Sequence, residues 1–116
     1  MQDFRNLKVW QKAHELALLT YRITSDFPKD EVFGLRHSMR KSATDIPSFV
    51  AEGCGKPNDA EFSRSIAAAV ALAYRLEYQA LMAKDLEFLD AAIYHEFEPQ
   101  LTDLKKMLNG FNRKLS

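Results

Sequence analysis

The chain has little that would interrupt or cross-link a fold. Cysteine occurs once, at Cys54, so an intrachain disulfide is excluded and a reducing compartment is the natural setting. Glycine and proline occur four times each, which leaves few places for the chain to turn. No excess of either charge is present: 16 basic residues balance 16 acidic ones. Proteins dedicated to nucleic acid usually carry a basic excess, so strong non-specific binding is disfavoured, though a local basic patch is not. The longest wholly apolar run, Ile66 to Tyr74, is too short to span a bilayer. The opening Met1-Gln2-Asp3-Phe4-Arg5 lacks the apolar core of a signal peptide, and a cytoplasmic protein is expected.

What is present is helical periodicity. Of the 116 residues, 47% are hydrophobic and 28% charged, a globular balance for one domain spanning residues 1–116. The spacing predicts a first helix from about Asn6 to Asp26, with Leu7, Trp10, Ala13 and Ala17 on one face. Phe27-Pro28 ends it. A second helix starts near Val32 or Phe33, with Leu35, Met39, Ala43, Ile46 and Val50 as its inward stripe. Pro47 falls inside that stripe, and two readings are open: one kinked helix, or two shorter helices broken at Asp45-Ile46.

Gly53-Cys54-Gly55-Lys56-Pro57-Asn58 is the clearest punctuation. Gly53 or Gly55 suits a left-handed closing position, and Asn58 with Glu61 has the form of a capping box. A nucleotide-binding glycine loop is the sharper alternative, but the third glycine is missing and the segment follows a helix. A third helix runs from about Asp59 to Lys84, with Phe62, Ile66, Ala69, Ala73, Leu76, Ala80 and Ala83 stepping by four and three. Ala67, Ala68, Val70, Ala71 and Leu72 make its middle apolar on nearly every side, more surface than one bundle needs, so another subunit is expected to cover part of it. A fourth helix begins near Asp90 and is striped by Ile93, Phe97, Leu101, Leu104, Leu108 and Phe111, with Pro99 inside it. No strand pattern competes. Short loops force antiparallel neighbours, so the fold class is all-α, an antiparallel up-down-up-down four-helix bundle.

Few constellations carry chemistry. A di-metal carboxylate bundle needs Glu-x-x-His on two helices, and no glutamate here has a histidine three residues on. His14, His37 and His95 share no pattern. Cys54 beside Lys56 reads either as a nucleophile or as a small loop residue, and no acid or histidine nearby in sequence supports the former. No cofactor, metal, small-molecule substrate or enzymatic activity is therefore expected. Arg36, His37, Arg40 and Lys41 form a basic cluster without an acidic residue between Gly34 and Thr44. It reads either as a phosphate-contacting surface for RNA or DNA or as a solvated helix flank. Lys56 and Arg64 are candidates to join it at the same end of the bundle. Asp85, Glu87, Asp90, Glu96, Glu98 and Asp103 make a contrasting acidic segment, and the two faces invite head-to-tail pairing of subunits. Trp10, Tyr21, Tyr74 and Tyr78 have core-like spacing and read as packing residues.

Arg40-Lys41-Ser42-Ala43-Thr44-Asp45-Ile46-Pro47-Ser48-Phe49-Val50-Ala51-Glu52-Gly53 resembles the arginine-rich, Ile-Pro, Ala-Glu-Gly signature of the four-helix-bundle family of 23S rRNA-intervening-sequence proteins. The start, Phe4 to Ala13, resembles that family's start, as do Phe27-Pro28, Gly34-Leu35 and Glu61-Phe62. The resemblance implies a proline inside the second helix and a homo-oligomer, with a pentamer the best guess. Related accessory proteins of diversity-generating retroelements engage nucleic acid and a reverse transcriptase through a basic ring, and no enzymatic activity is established for the family as a whole. This chain departs from the pattern at Phe49, where asparagine is usual, and at Arg40-Lys41, where a double arginine is usual.

Overall fold

The computed structural model describes residues 2–115. Four helices follow in order: α1 (Lys8–Ile23), α2 (Leu35–Cys54), α3 (Asp59–Asp85) and α4 (Ala91–Leu115), with short 3-10 turns at Phe4–Asn6 and Lys29–Glu31. No strand occurs among the described residues. Side-chain contacts show that neighbours run antiparallel. Arg40 at the start of α2 reaches Tyr21 and Thr24 at the end of α1. Gly53 at the end of α2 lies against Phe62 at the start of α3. Ser63 and Glu77 of α3 bond Asn112 and Lys105 of α4. Leu7, Lys8 and Val9 share a recess with Met107, Gly110 and Phe111, which closes the ring of four helices.

One core joins all four helices. Its largest fully buried side chains include Leu16, Met39, Ile46, Ile66, Leu76, Phe97, Leu101, Leu104 and Leu108. The whole α3 seam from Phe62 to Ala83 is buried, and its alanines let α3 lie close to both neighbours. Gly53 serves the same approach. A Cβ there would lie 2.5 Å from a ring carbon of Phe62 and 3.2 Å from Cβ of Ser65.

Helix ends depart from the sequence expectation for local reasons. The helical span of α1 stops at Ile23, three residues short of Asp26. Thr20, Thr24 and Ser25 donate their hydroxyls to the carbonyls four residues back, at 2.8, 2.8 and 2.9 Å, and these bonds compete with the backbone ladder. At the other end, Asn6 belongs to a separate 3-10 turn capped by Asp3. The second helix begins at Leu35 rather than Val32 or Phe33, because Glu31 Oε1 accepts from Leu35 N at 3.0 Å and sets the first turn there. Across Pro47 α2 is continuous, which excludes two separate helices.

Neither Gly53 nor Gly55 takes a left-handed conformation: Gly53 is within α2 and Gly55 has φ −89°. The left-handed position falls instead at Glu87 (φ 64°), after α3. Phe88 N donates to Ala83 O and Glu87 N to Lys84 O, both at 2.9 Å, which is the Schellman pattern. The capping box at Asn58 is present, with Glu61 N donating to Asn58 Oδ1 at 2.9 Å. On α4 the buried seam begins at Phe97. Ile93 is exposed because its neighbour Tyr94, rather than Ile93, packs against the core ahead of Phe97, and Pro99 sits on the outer side of an unbroken helix. No described helix is long and apolar enough to cross a membrane.

Candidate nucleic-acid interface

The end of α1 and the start of α2 face each other across a groove of about 400 Å³, lined by Tyr21, Val32, Arg36, His37, Arg40, Lys41, Thr44 and Asp45. Helical spacing explains the grouping. Arg36, Arg40 and Thr44 are successive turns of one face of α2, and antiparallel packing sets Tyr21 opposite them.

Each cation has a different commitment. Arg40 is pinned: Nε donates to Thr24 Oγ1 at 2.9 Å, Nη2 donates to the Tyr21 carbonyl at 3.0 Å, and Cζ lies 4.5 Å above the Tyr21 ring. Burial, and then the like charge of Arg36, lower its pKa from the ordinary value, while the Tyr21 side chain acts the other way. Lys41 is paired with Asp45 at 3.0 Å on the surface, a contact worth little in water. Arg36 and His37 have no ion-pair partner among the described residues. The groove therefore holds three full positive charges against one lining carboxylate, Asp45. Nearby Glu31 is engaged by the first turn of α2.

Lys56 and Arg64 do not join this group. Both lie at the opposite end of the bundle, Lys56 in a recess with Gln2, Pro57 and Leu115, and Arg64 exposed on α3. At a rise of about 1.5 Å per residue, the length of α2 separates Arg36 from Lys56 by roughly 30 Å. The acidic turn of Asp85, Glu87 and Asp90 lies at the same end as the basic groove, on the α3–α4 side. Pairing of these two patches between copies would be side by side rather than along the bundle axis.

Tyr21, Tyr74 and Tyr78 are not core residues. Tyr74 and Tyr78 are 56% and 62% exposed, and Tyr21 is exposed as well. Spacing alone misplaced Tyr74 and Tyr78, because α3 carries a second apolar stripe, Ala67, Ala71, Tyr74, Tyr78 and Leu81, on its outer side. Lys105 stands 4.2 Å from the Tyr74 ring and bonds Glu77 at 2.8 Å. Trp10 is half-buried, stacked on His14 at 4.9 Å. Tyr21 and Val32 are groove residues that sequence reasoning missed; antiparallel pairing of α1 with α2 was the signal that places Tyr21 there. Cys54 is buried, and burial, then the charge of Asp3, raise its thiol pKa, the reverse of nucleophile activation. Among the described residues no group of three or more His, Cys, Asp or Glu is placed to hold a metal ion.

Comparison with solved structures places this fold beside a crystal structure from Bacteroides thetaiotaomicron, described as a protein with unknown function from the S23 ribosomal protein family. The two superpose with a TM-score of 0.83 at 19% identity, over 90% of this chain and 95% of the other. None of the curated proteins matches. The pattern of the family described as 23S rRNA-intervening sequence protein matches residues 5–110, so almost the entire bundle, groove included, falls within it. The chain belongs to the 23S rRNA-intervening sequence protein family.

Proposed function

We propose that this protein is a non-enzymatic, self-associating scaffold that contacts nucleic acid through the α1–α2 groove. The observation that carries the reading is Arg36, unpaired beside a pinned Arg40 at the mouth of a groove that also presents Lys41. Phosphate contacts need such cations held in register but not neutralised. The rRNA insert in the family's description points the same way. Self-association is supported by the outer stripe of α3, where Tyr74, Tyr78 and Leu81 are exposed together. The family resemblance favours five copies. A reducing, cytoplasmic setting is supported by the single buried thiol.

A second reading, a protein-interaction module that binds no nucleic acid, is favoured by the zero net charge. Titration of labelled RNA and DNA at low and physiological salt separates the two. Binding that falls with salt and is weakened by Arg36→Glu supports the groove. No binding at low salt sinks the nucleic-acid reading. Arg40→Glu is a poorer probe, because it also removes the bonds that tie α2 to α1. Native mass measurement tests assembly, and a monomer at micromolar concentration would defeat it.

A further inference from the structure

We propose that the α1–α2 groove binds unpaired nucleotides, with the ring of Phe33 as a stacking platform for a base. The inference rests on the nucleic-acid reading above and narrows it from phosphate contact to single-stranded RNA or DNA.

Phe33 is 92% exposed. The chain has eight phenylalanines. Phe27, Phe62 and Phe97 are in the core, and Phe4, Phe49, Phe88 and Phe111 pack against it. Phe33 alone does neither, so folding gains almost nothing from its ring. Yet the backbone around it is fixed. Glu31 N donates to Pro28 O at 2.9 Å, Val32 N to Lys29 O at 3.2 Å and Gly34 N to Glu31 O at 3.1 Å. Glu31 then holds the first turn of α2. With the backbone already ordered, binding a flat partner has only the ring's own rotamers left to fix.

The surroundings select the partner. Val32, the residue before Phe33, lines the groove, and Arg36, three residues after it, has no ion pair among the described residues. Tyr21, across the groove, is exposed and already stacks with the guanidinium of Arg40. Exposed aromatics interleaved with a few cations are the arrangement that holds single strands, because every unpaired base offers a π-face. Base pairs inside a duplex offer none unless they are unstacked. Three cations against Asp45 also suit a short strand better than a long duplex track.

The test compares a labelled single-stranded oligonucleotide of about 12 nucleotides, as RNA and as DNA, with the matching duplexes at low salt. Single strands of one or both sugars should bind more tightly than duplexes. Phe33→Ala should weaken single-strand binding on the order of tenfold and leave duplex binding unchanged. Arg36→Glu should weaken both. Phe33→Trp should retain binding, and its emission should be quenched by the single strand. Phe33→Ala should melt like the parent, because the ring packs on nothing in the core. Duplex preference with Phe33→Ala silent would overturn the inference and leave the groove reading standing. Absence of binding by the parent to any of the four probes would overturn both. Loss of assembly in Phe33→Ala, with oligonucleotide affinity unchanged, would make Phe33 a contact between protein copies and end the inference.

Discussion

The third helix carries two apolar stripes of the same spacing with opposite fates. The inner one, Phe62, Ile66, Ala69, Ala73, Leu76, Ala80 and Ala83, is buried throughout. The outer one, Ala67, Ala71, Tyr74, Tyr78 and Leu81, steps by four and three just as regularly and is exposed. Their compositions differ in a way that matches their places. The inner stripe is dominated by alanine, which brings backbones together, and has no polar atom in its side chains. The outer stripe includes two tyrosines, whose hydroxyls tolerate water when the face is uncovered. Periodicity thus reports that a face is apolar, and says nothing of whether this chain or another covers it.

The largest expected effect lies on the inner stripe. Leu76→Ala should cost about 2–5 kcal/mol in denaturant unfolding, because Leu76 is fully buried and its removal leaves a cavity. A loss below about 0.5 kcal/mol would show that the two stripes are energetically alike. Next is Gly53→Ala, where the added methyl meets the Phe62 ring. Phe62 is itself held against Phe111 at 5.4 Å, so overpacking of about 1–3 kcal/mol should outweigh the better helix propensity of alanine. Pairing it with Phe62→Leu should recover part of the loss.

On the outer stripe, Tyr78→Glu with Leu81→Glu should change the unfolding free energy of the isolated chain by about 0.5 kcal/mol or less per site. It should, however, lower the assembled mass seen by native mass spectrometry. A double variant that keeps its mass would show that the outer face is not an interface between copies. Last is Glu87→Gly, which touches neither stripe, has no expected effect on assembly and only relieves the left-handed position after α3. A gain of about 0.5–1 kcal/mol in thermal or denaturant unfolding is expected. A loss would mean that the Glu87 side chain contributes more than its backbone strain costs.

The candidate site was only partly legible for the same reason as the stripes. Arg36, Arg40 and Lys41 were visible as a cluster because they are close in sequence. The role of Arg40 was not, since its partners Thr24 and Tyr21 lie on another helix. Lys56 and Arg64 were grouped with them as cations expected at the same end of the bundle, and the length of α2 sets them apart. Phe33 looked like the first residue of a helix. Glu31, four residues before Leu35, set the helix start elsewhere and left the ring in solvent.

The sequence by itself determined the four helices, the inner seam of α3 and the capping box at Asn58. Each depends on contacts within a few residues or on a period that any partner would satisfy. It also carried the family signature around Ile46-Pro47 and Ala51-Glu52-Gly53. Only the tertiary structure decided that the outer stripe of α3 stays exposed on this chain, why residue 53 is glycine, and which cations share a groove. Those outcomes depend on distances between helices, and a periodic pattern along one helix holds no information about the distance to the next.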